Sequence, residues 1–176
     1  MIDRYTRPAM GNIWTEESKY RCWLQVESAA STVLAEDGVI PVDAAEAIAT
    51  KASFSVARIQ EIEAEVKHDV IAFTTAVAET LKEQGLGEQS RWLHYGLTSN
   101  DIVDTAQALQ IKEASAQIRV GLVAFLEVLK KRALEFKSRA IPYQCNGRRC
   151  AAPRIHLWRP RRMRSEMGEY PYRQER

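Results

Sequence analysis

The sequence contains no glycine-rich phosphate loop, no nucleophile elbow and no paired metal-ligand motif. P-loop nucleotide chemistry, serine-hydrolase chemistry and a structural zinc site therefore lack their usual residues. The three cysteines (Cys22, Cys145 and Cys150) are odd in number and lack ligand spacing, which excludes a disulfide framework and fits a reducing, cytoplasmic setting. No apolar run approaches the roughly 18 residues that would span a bilayer. The N-terminus is polar, so no secretory leader and no membrane partner are expected. No segment alternates convincingly with period two, so strands are not expected. What remains is 176 residues, 45% hydrophobic and 27% charged, enough for one globular domain with a modest core.

The net charge of +2 conceals an uneven distribution. Residues 141–176 hold nine Arg, no Lys and three Glu, whereas residues 1–140 carry sixteen basic residues against twenty acids. Four of the six prolines (Pro142, Pro153, Pro160 and Pro171) also fall after residue 140. The chain is thus read as three stretches: 1–99, 100–140 and an Arg/Pro-rich 141–176 without helical or strand period. The Arg and Trp content of that last stretch is a weak nucleic-acid signal without a recognisable module, and no nucleic-acid partner is expected.

Hydrophobic spacing predicts an all-α fold. Thr15 is placed as an N-cap, with Glu16 and Glu17 in the first turn where the helix dipole favours acids. Trp23, Val26, Ala30, Val33 and Leu34 then recur at helical spacing until Asp37-Gly38. Pro41-Val42-Asp43 starts a short helix from Ala44 to about Lys51. Ser53 or Ser55 opens a third, with Val56, Ile59 and Ile62 on one face. A fourth runs from about Asp69 to Lys82 with Ile71, Phe73, Val77 and Leu81, and Gly85-Leu86-Gly87 is read as a loop. From about Asn100 to Lys137 there is no proline and one glycine, Gly121. Ile102, Ala106, Leu109, Ala116, Val120, Val123, Leu126, Leu129, Ala133 and Phe136 recur there every three or four residues. Such a helix, roughly 57 Å long at 1.5 Å per residue, must pack along other long helices of this chain or of partner subunits.

Chemistry-bearing residues gather in three places. His94-Tyr95-Gly96-Leu97-Thr98-Ser99-Asn100-Asp101-Ile102-Val103-Asp104-Thr105 crowds hydroxyls, an imidazole and carboxylates at the start of the long helix. Unpaired backbone N–H groups there make Thr98-Ser99 either a cap or a cradle for a carboxylate or phosphate. His94 is equally readable as a hydrogen-bonded structural residue. Lys67-His68-Asp69 opens another helix and reads as a solvated helix start, a phosphate binder or a proton-transfer group. Arg4-Tyr5 pairs a forked anion binder with a phenol.

Taken in order, Asp3-Arg4-Tyr5-Thr6-Arg7-Pro8-Ala9-Met10, Ile13-Trp14, Lys67-His68-Asp69-Val70-Ile71-Ala72-Phe73 and the His94–Thr105 segment resemble the adenylosuccinate lyase family of the fumarase/aspartase superfamily. The resemblance covers about residues 1–140. Ala9 stands where that family usually has Glu, and the loop near Gly85 is slightly longer than in many relatives. The resemblance implies an N-terminal helical domain over 1–99 and, over 100–140, the first long helix of a bundle. It also implies β-elimination of fumarate from adenylosuccinate and from the succinylated carboxamide ribotide SAICAR, without metal or redox cofactor, in a homotetramer whose active sites each draw on three subunits. Carried over by motif, Arg4 and Tyr5 bind the nucleotide, chiefly its phosphate. Lys67, His68 and Asp69 line the pocket, with His68 near the phosphate or assisting the acid step. Thr98 and Ser99 hold the succinyl carboxylate, and Asp101 and Asp104 cap and orient.

After Lys137 the family continues into a segment of the type Gly-Arg-Thr/Ser-His-Gly-x-His-Ala-Glu-Pro, whose first His is the general acid. Here Gly147-Arg148-Arg149-Cys150-Ala151-Ala152-Pro153 follows, with no aligned His, and His156 does not take its place. Ile155–Trp158 can be encoded AUC-CAC-CUU-UGG, and read one base later this spells Ser-Thr-Phe-Gly, close to the end of the missing motif. A frameshifted tail on a truncated chain, inactive by itself, is therefore expected. The alternative is a non-catalytic helical fragment that binds a nucleotide or partner helices.

Overall fold

The computed structural model describes residues 2–137, so Cys145, Cys150, His156 and the whole 141–176 stretch lie outside the described residues. Every regular element among the described residues is helical, as the hydrophobic spacing predicts. A 3-10 turn at Asp3–Tyr5, a single turn α1 (Pro8–Gly11) and a second 3-10 turn at Asn12–Trp14 lead into α2 (Glu16–Glu36). They are followed by α3 (Val42–Lys51), α4 (Val56–Val66), α5 (Asp69–Glu83), a single turn α6 (Gly87–Ser90) and α7 (Ser99–Phe136). The turn α6 falls where the glycine-rich sequence suggests only loop. No described helix is long and apolar enough to cross a membrane.

The helix boundaries follow local chemistry. The Thr15 hydroxyl accepts the Ser18 N–H at 3.2 Å, which caps α2. Ser55, rather than Ser53, caps α4 by accepting from the Arg58 N–H. Helix α2 stops at Gly38, whose φ of +71° is open to glycine at little cost, and the Val39 N–H then returns to the Leu34 carbonyl at 2.8 Å.

The core is built on an aromatic cluster joining α2 and α5. Tyr20 stacks on Phe73 with centroids 5.8 Å apart, and Trp23 meets Phe73 edge-on at 5.4 Å. Phe54 closes a third side of the cluster. Ile48, Ile59, Ile62, Val70, Val77 and Leu81 surround it, and Ile102 and Ala106 bring the first turns of α7 against it. Tyr20 is a core residue that the predicted apolar stripe omitted. Val33 and Ile71 are corrections in the other direction: they lie on outward faces and are 55% and 50% exposed.

Two polar clamps fix elements that carry candidate site residues. Arg58 on α4 grips Glu79 on α5 with Nε–Oε2 at 2.8 Å and Nη2–Oε1 at 2.9 Å, setting the α4–α5 hairpin whose bend holds Lys67 and His68. The buried Gln110 side chain donates to the Ile13 carbonyl at 2.7 Å, tying the N-terminal segment to α7.

The chain divides into two compact units, Met1–Phe125 and Leu126–Arg176. Within the first, α7 buries Ile102, Ala106, Gln110 and Ala114, while Ile111, Ile118, Val120, Leu122, Val123 and Phe125 are exposed. In the second, Leu126, Val128, Leu129 and Leu134 are exposed. Ala116, Val120, Val123, Leu126 and Leu129 are thus left uncovered by the described residues of this chain, the first of the two sources of cover that the sequence allows. Helix α7 also runs unbroken through Gly121, at a cost of about 1 kcal/mol relative to alanine.

Candidate functional site

Three groups of side chains carry the candidate chemistry, each fixed by its own local structure. In the first 3-10 turn the Arg4 guanidinium sits over the Tyr5 ring, 4.8 Å from its centroid. Both residues are exposed, so the fork and the phenol face outward together.

The second group occupies the bend between α4 and α5. Lys67 ends α4 in the left-handed region, with φ 55°, its N–H returning to the Glu63 carbonyl at 2.9 Å. A lysine there costs about 1 kcal/mol that a glycine would avoid. Lys67→Gly should therefore raise the stability of the chain by about 1 kcal/mol while removing the ammonium. A urea midpoint unchanged or lowered by Lys67→Gly contradicts this. His68 is the N-cap of α5: its Nδ1 accepts the Ile71 N–H at 3.4 Å and lies 3.6 Å from Asp69 Oδ1. Asp69 Oδ1 itself accepts the Val70 N–H at 2.8 Å. The sequence reading of this segment as a helix start thus holds, and the exposed His68 ring and Lys67 chain remain directed to solvent.

The third group lies at the start of α7. The Thr98 N–H and hydroxyl both donate to Asp101 Oδ2, at 2.7 and 2.9 Å, the return half of a capping box. This is the capping role given to Asp101. These two bonds hold the Asp101 carboxyl below its ordinary value of 3.8, with a smaller contribution from His94. A carboxyl lowered in the folded state stabilises the fold above its unfolded value, and that contribution fades as pH falls through the lowered folded value. The Asp101 carboxyl carbon should accordingly titrate below 3.8 in the wild-type chain. Its midpoint should rise in Thr98→Val, which keeps only the backbone donor; equal midpoints in the two proteins contradict the assignment. The Thr98 hydroxyl is engaged in this cap. The half-buried Ser99 hydroxyl makes no hydrogen bond among the described residues.

His94 is not a free surface imidazole. Its backbone is left-handed, with φ 63°, and Glu27 of α2 binds it twice. Glu27 Oε2 accepts the His94 N–H at 3.1 Å, and Oε1 lies 2.7 Å from Nδ1. The Glu27 side chain is wholly buried. Burial pushes its carboxyl up, and the bonds from His94 pull it back down. Glu27 was missed in the sequence, although a signal existed. It shares the buried face of α2 with Tyr20, Trp23 and Ser31, and an acid on an apolar face asks for a partner.

Among the described residues no hydrogen bond or ion pair joins the three groups to one another, and no three His, Cys, Asp or Glu side chains are grouped to hold a metal ion. Each group is ordered locally, and each presents cationic or hydroxyl donors suited to an anion.

This all-helical scaffold, with hydroxyls at the head of one very long helix, has the architecture of solved lyase-superfamily enzymes. It superimposes on the crystal structure of 3-carboxy-cis,cis-muconate lactonizing enzyme from Pseudomonas putida with a TM-score of 0.70 and 27% identity, covering 77% of this chain and 32% of that one. For fumarate lyase from Mesorhizobium sp. BNC1 the TM-score is 0.54 at 28% identity, covering 62% and 25%. Residues 3–142 match the lyase family profile, and the chain belongs to that family. It is 50% identical over 137 residues to the adenylosuccinate lyase of Streptococcus mutans serotype c, covering 78% of this chain and 31% of the relative. Against the adenylosuccinate lyase of Bacillus subtilis strain 168 the identity is 45% over the same length and coverage. The chain thus spans about a third of the length of the curated relatives it matches.

Proposed function

We propose that this chain is the N-terminal portion of an adenylosuccinate lyase of purine nucleotide biosynthesis. Its reaction is β-elimination of fumarate from adenylosuccinate, giving AMP, and from SAICAR, giving AICAR. The observation that carries the proposal is the 50% identity over 137 residues to a curated adenylosuccinate lyase; the lyase family match over residues 3–142 takes in all three candidate groups. In that reaction a base removes a proton beside a carboxylate and an acid protonates the departing nitrogen. The carbanion is stabilised as an aci-carboxylate by donors placed around it. No metal or redox cofactor is required.

In this reading Arg4 and Tyr5 take the nucleotide phosphate, and Lys67, His68 and Asp69 line the pocket. His68 sits near the phosphate or assists the acid step, its exposed ring facing solvent. Thr98 and Ser99 bind the succinyl carboxylate at the head of α7. The three groups make no mutual contact here, which agrees with a site whose walls come from three subunits of a homotetramer. Exposure along α7 supports the same assembly. At 100° per residue, Ile118, Val120, Leu122, Val123 and Phe125 point to several sides of the helix, and a stretch with exposed apolar residues on several sides suits the inside of a bundle. Residues 100–140 are then the first long helix of that bundle, following an N-terminal domain over 1–99, and the protein works in the cytoplasm.

Residues 141–176 are read as a frameshifted continuation, supported by the change of composition near residue 140 and by the Ser-Thr-Phe-Gly reading of the shifted frame. If neither alternative frame past codon 142 spells a lyase continuation, that reading is wrong. Because these 176 residues do not contain the general-acid His segment, the purified chain is expected to release no fumarate from adenylosuccinate by itself. Mixed with a Bacillus subtilis relative inactivated only at the positions aligned with Arg4, Lys67, His68 and Ser99, it should restore fumarate release. A verified mixed assembly without activity would favour the non-catalytic binding fragment instead.

A further inference from the structure

We propose that Gln110 of α7 is a positioning residue for phosphate recognition: its hydrogen bond to the Ile13 carbonyl fixes where the N-terminal segment presents Arg4 and Tyr5. The inference rests on the lyase reading only for what that pair of side chains meets.

The first support is the place of Gln110 in α7. Ile102, Ala106 and Ala114 form a buried row at four-residue intervals, and Gln110 stands in the same row, 7% exposed. An apolar side chain there would pack without polar cost, whereas a buried amide is costly unless it is bonded. Its Nε2 donates at 2.7 Å to the carbonyl of Ile13, 97 residues away in sequence. That carbonyl belongs to the 3-10 turn Asn12–Trp14, which is too short to bond its own last carbonyls.

The second support is that this bond stands alone. Among the described residues, no other hydrogen bond or ion pair joins residues 2–14 to anything beyond Thr15. Ile13 is itself buried, but apolar packing has no direction, whereas an amide-to-carbonyl bond sets an orientation.

The third support is that the segment is stapled internally, so an orientation set at Ile13 is carried to Arg4. The Thr6 hydroxyl and the Tyr5 N–H both donate to the Ile2 carbonyl at 3.0 Å. The N–H groups of Met10 and Gly11 return to the Arg7 carbonyl at 3.0 and 2.9 Å. A Cβ on Gly11 would come within 3.0 Å of Thr6 Cγ2, so α1 lies directly against the residue that follows Arg4-Tyr5. The turns therefore move together, and Gln110 holds them at the end remote from Arg4.

Two measurements test the proposal. The first uses the 176-residue chain itself. Backbone 15N relaxation should give residues 4–14 order parameters in the rigid range, about 0.85, in the wild type. Gln110→Met keeps the length of the side chain and removes the donor. In that variant the same residues should fall below about 0.6, while α5 stays unchanged. Order parameters for 4–14 equal to those of the wild type would overturn the proposal. The second measurement uses the mixed assembly with the inactivated Bacillus subtilis relative. With Gln110→Met, KM for adenylosuccinate and the inhibition constant of AMP should both rise about 10-fold, while kcat holds within about twofold. The inhibition constant of fumarate, which carries no phosphate, should also hold within about twofold. A general loosening of the fold would raise both inhibition constants alike. Equal rises, or no rise for AMP, would therefore also overturn the proposal. If Gln110→Met fails to fold, Gln110→Asn takes its place, its amide one methylene short of the Ile13 carbonyl. A wild-type mixed assembly that releases no fumarate defeats the lyase reading alone, and the order parameters then decide the role of Gln110.

Discussion

Ser99→Ala is expected to lower kcat/KM for fumarate release by about 10²- to 10³-fold, the usual cost of deleting one donor that stabilises a developing oxyanion. The setting for the measurement is a chimera in which residues 1–137 of this chain replace the matching segment of the Bacillus subtilis relative. The effect is assigned to Ser99 ahead of Thr98 on geometric grounds. The Thr98 hydroxyl already donates to Asp101 at 2.9 Å, whereas the Ser99 hydroxyl has no hydrogen bond among the described residues and sits on the first residue of a 38-residue helix. It is free to meet a carboxylate where the backbone N–H groups and the helix dipole already favour one. The loss should fall on kcat as well as KM, because charge on that carboxylate grows in the aci-form. Helix content should be unchanged. A reduction of less than about threefold would contradict the assignment of this hydroxyl to oxyanion stabilisation.

Phe73→Ala is expected to destabilise the chain by about 3–5 kcal/mol, a large part of the total stability of a small domain. Phe73 is fully buried and contacts Tyr20, Trp23 and Phe54 in one cluster, so its removal opens a cavity and breaks three ring contacts together. Urea unfolding followed by tryptophan fluorescence reads the change directly, since Trp23 lies against the deleted ring. Ile71→Ala, two residues away on the same helix but half exposed, serves as the control and should cost no more than about 0.5 kcal/mol. Similar losses at the two positions would contradict the placement of the core. The functional consequence is local: α5 begins at the His68 cap, so loosening Phe73 releases the bend that holds Lys67 and His68.

Helix order was legible because the signals were local. Thr15 before two glutamates, Asp37-Gly38 as a stop and Ser55 before an apolar stripe each act within one turn, and the helix boundaries fall within a few residues of those signals. Which face of each helix is buried was less legible, because that depends on the neighbouring helices. Tyr20 reads as an amphipathic surface residue until Phe73 is placed beneath it, and Ile71 reads as core until α5 is seen to turn it outward. The α7 residues Val120 and Val123 have the spacing of core positions, yet no described residue of this chain covers them.

The site divides in the same way. Thr98, Ser99 and Asp101 could be placed at a helix head from their order alone, and the Asp101 cap is what that order predicts. The Glu27–His94 pair could not be deduced, because its members lie 67 residues apart and only packing of α2 against the turn before α7 brings them together. The contradiction was nonetheless visible: an acid at the i+4 position from Trp23 on a buried face has to be answered by something.

The central claim, that these residues furnish the N-terminal segments of an adenylosuccinate lyase site, is tested most directly by fumarate release from adenylosuccinate by the same chimera. The account predicts turnover within about tenfold of the parent enzyme, abolished by charge removal at Lys67 and His68 together. A chimera that folds and assembles as the parent does, yet releases no fumarate, would contradict it.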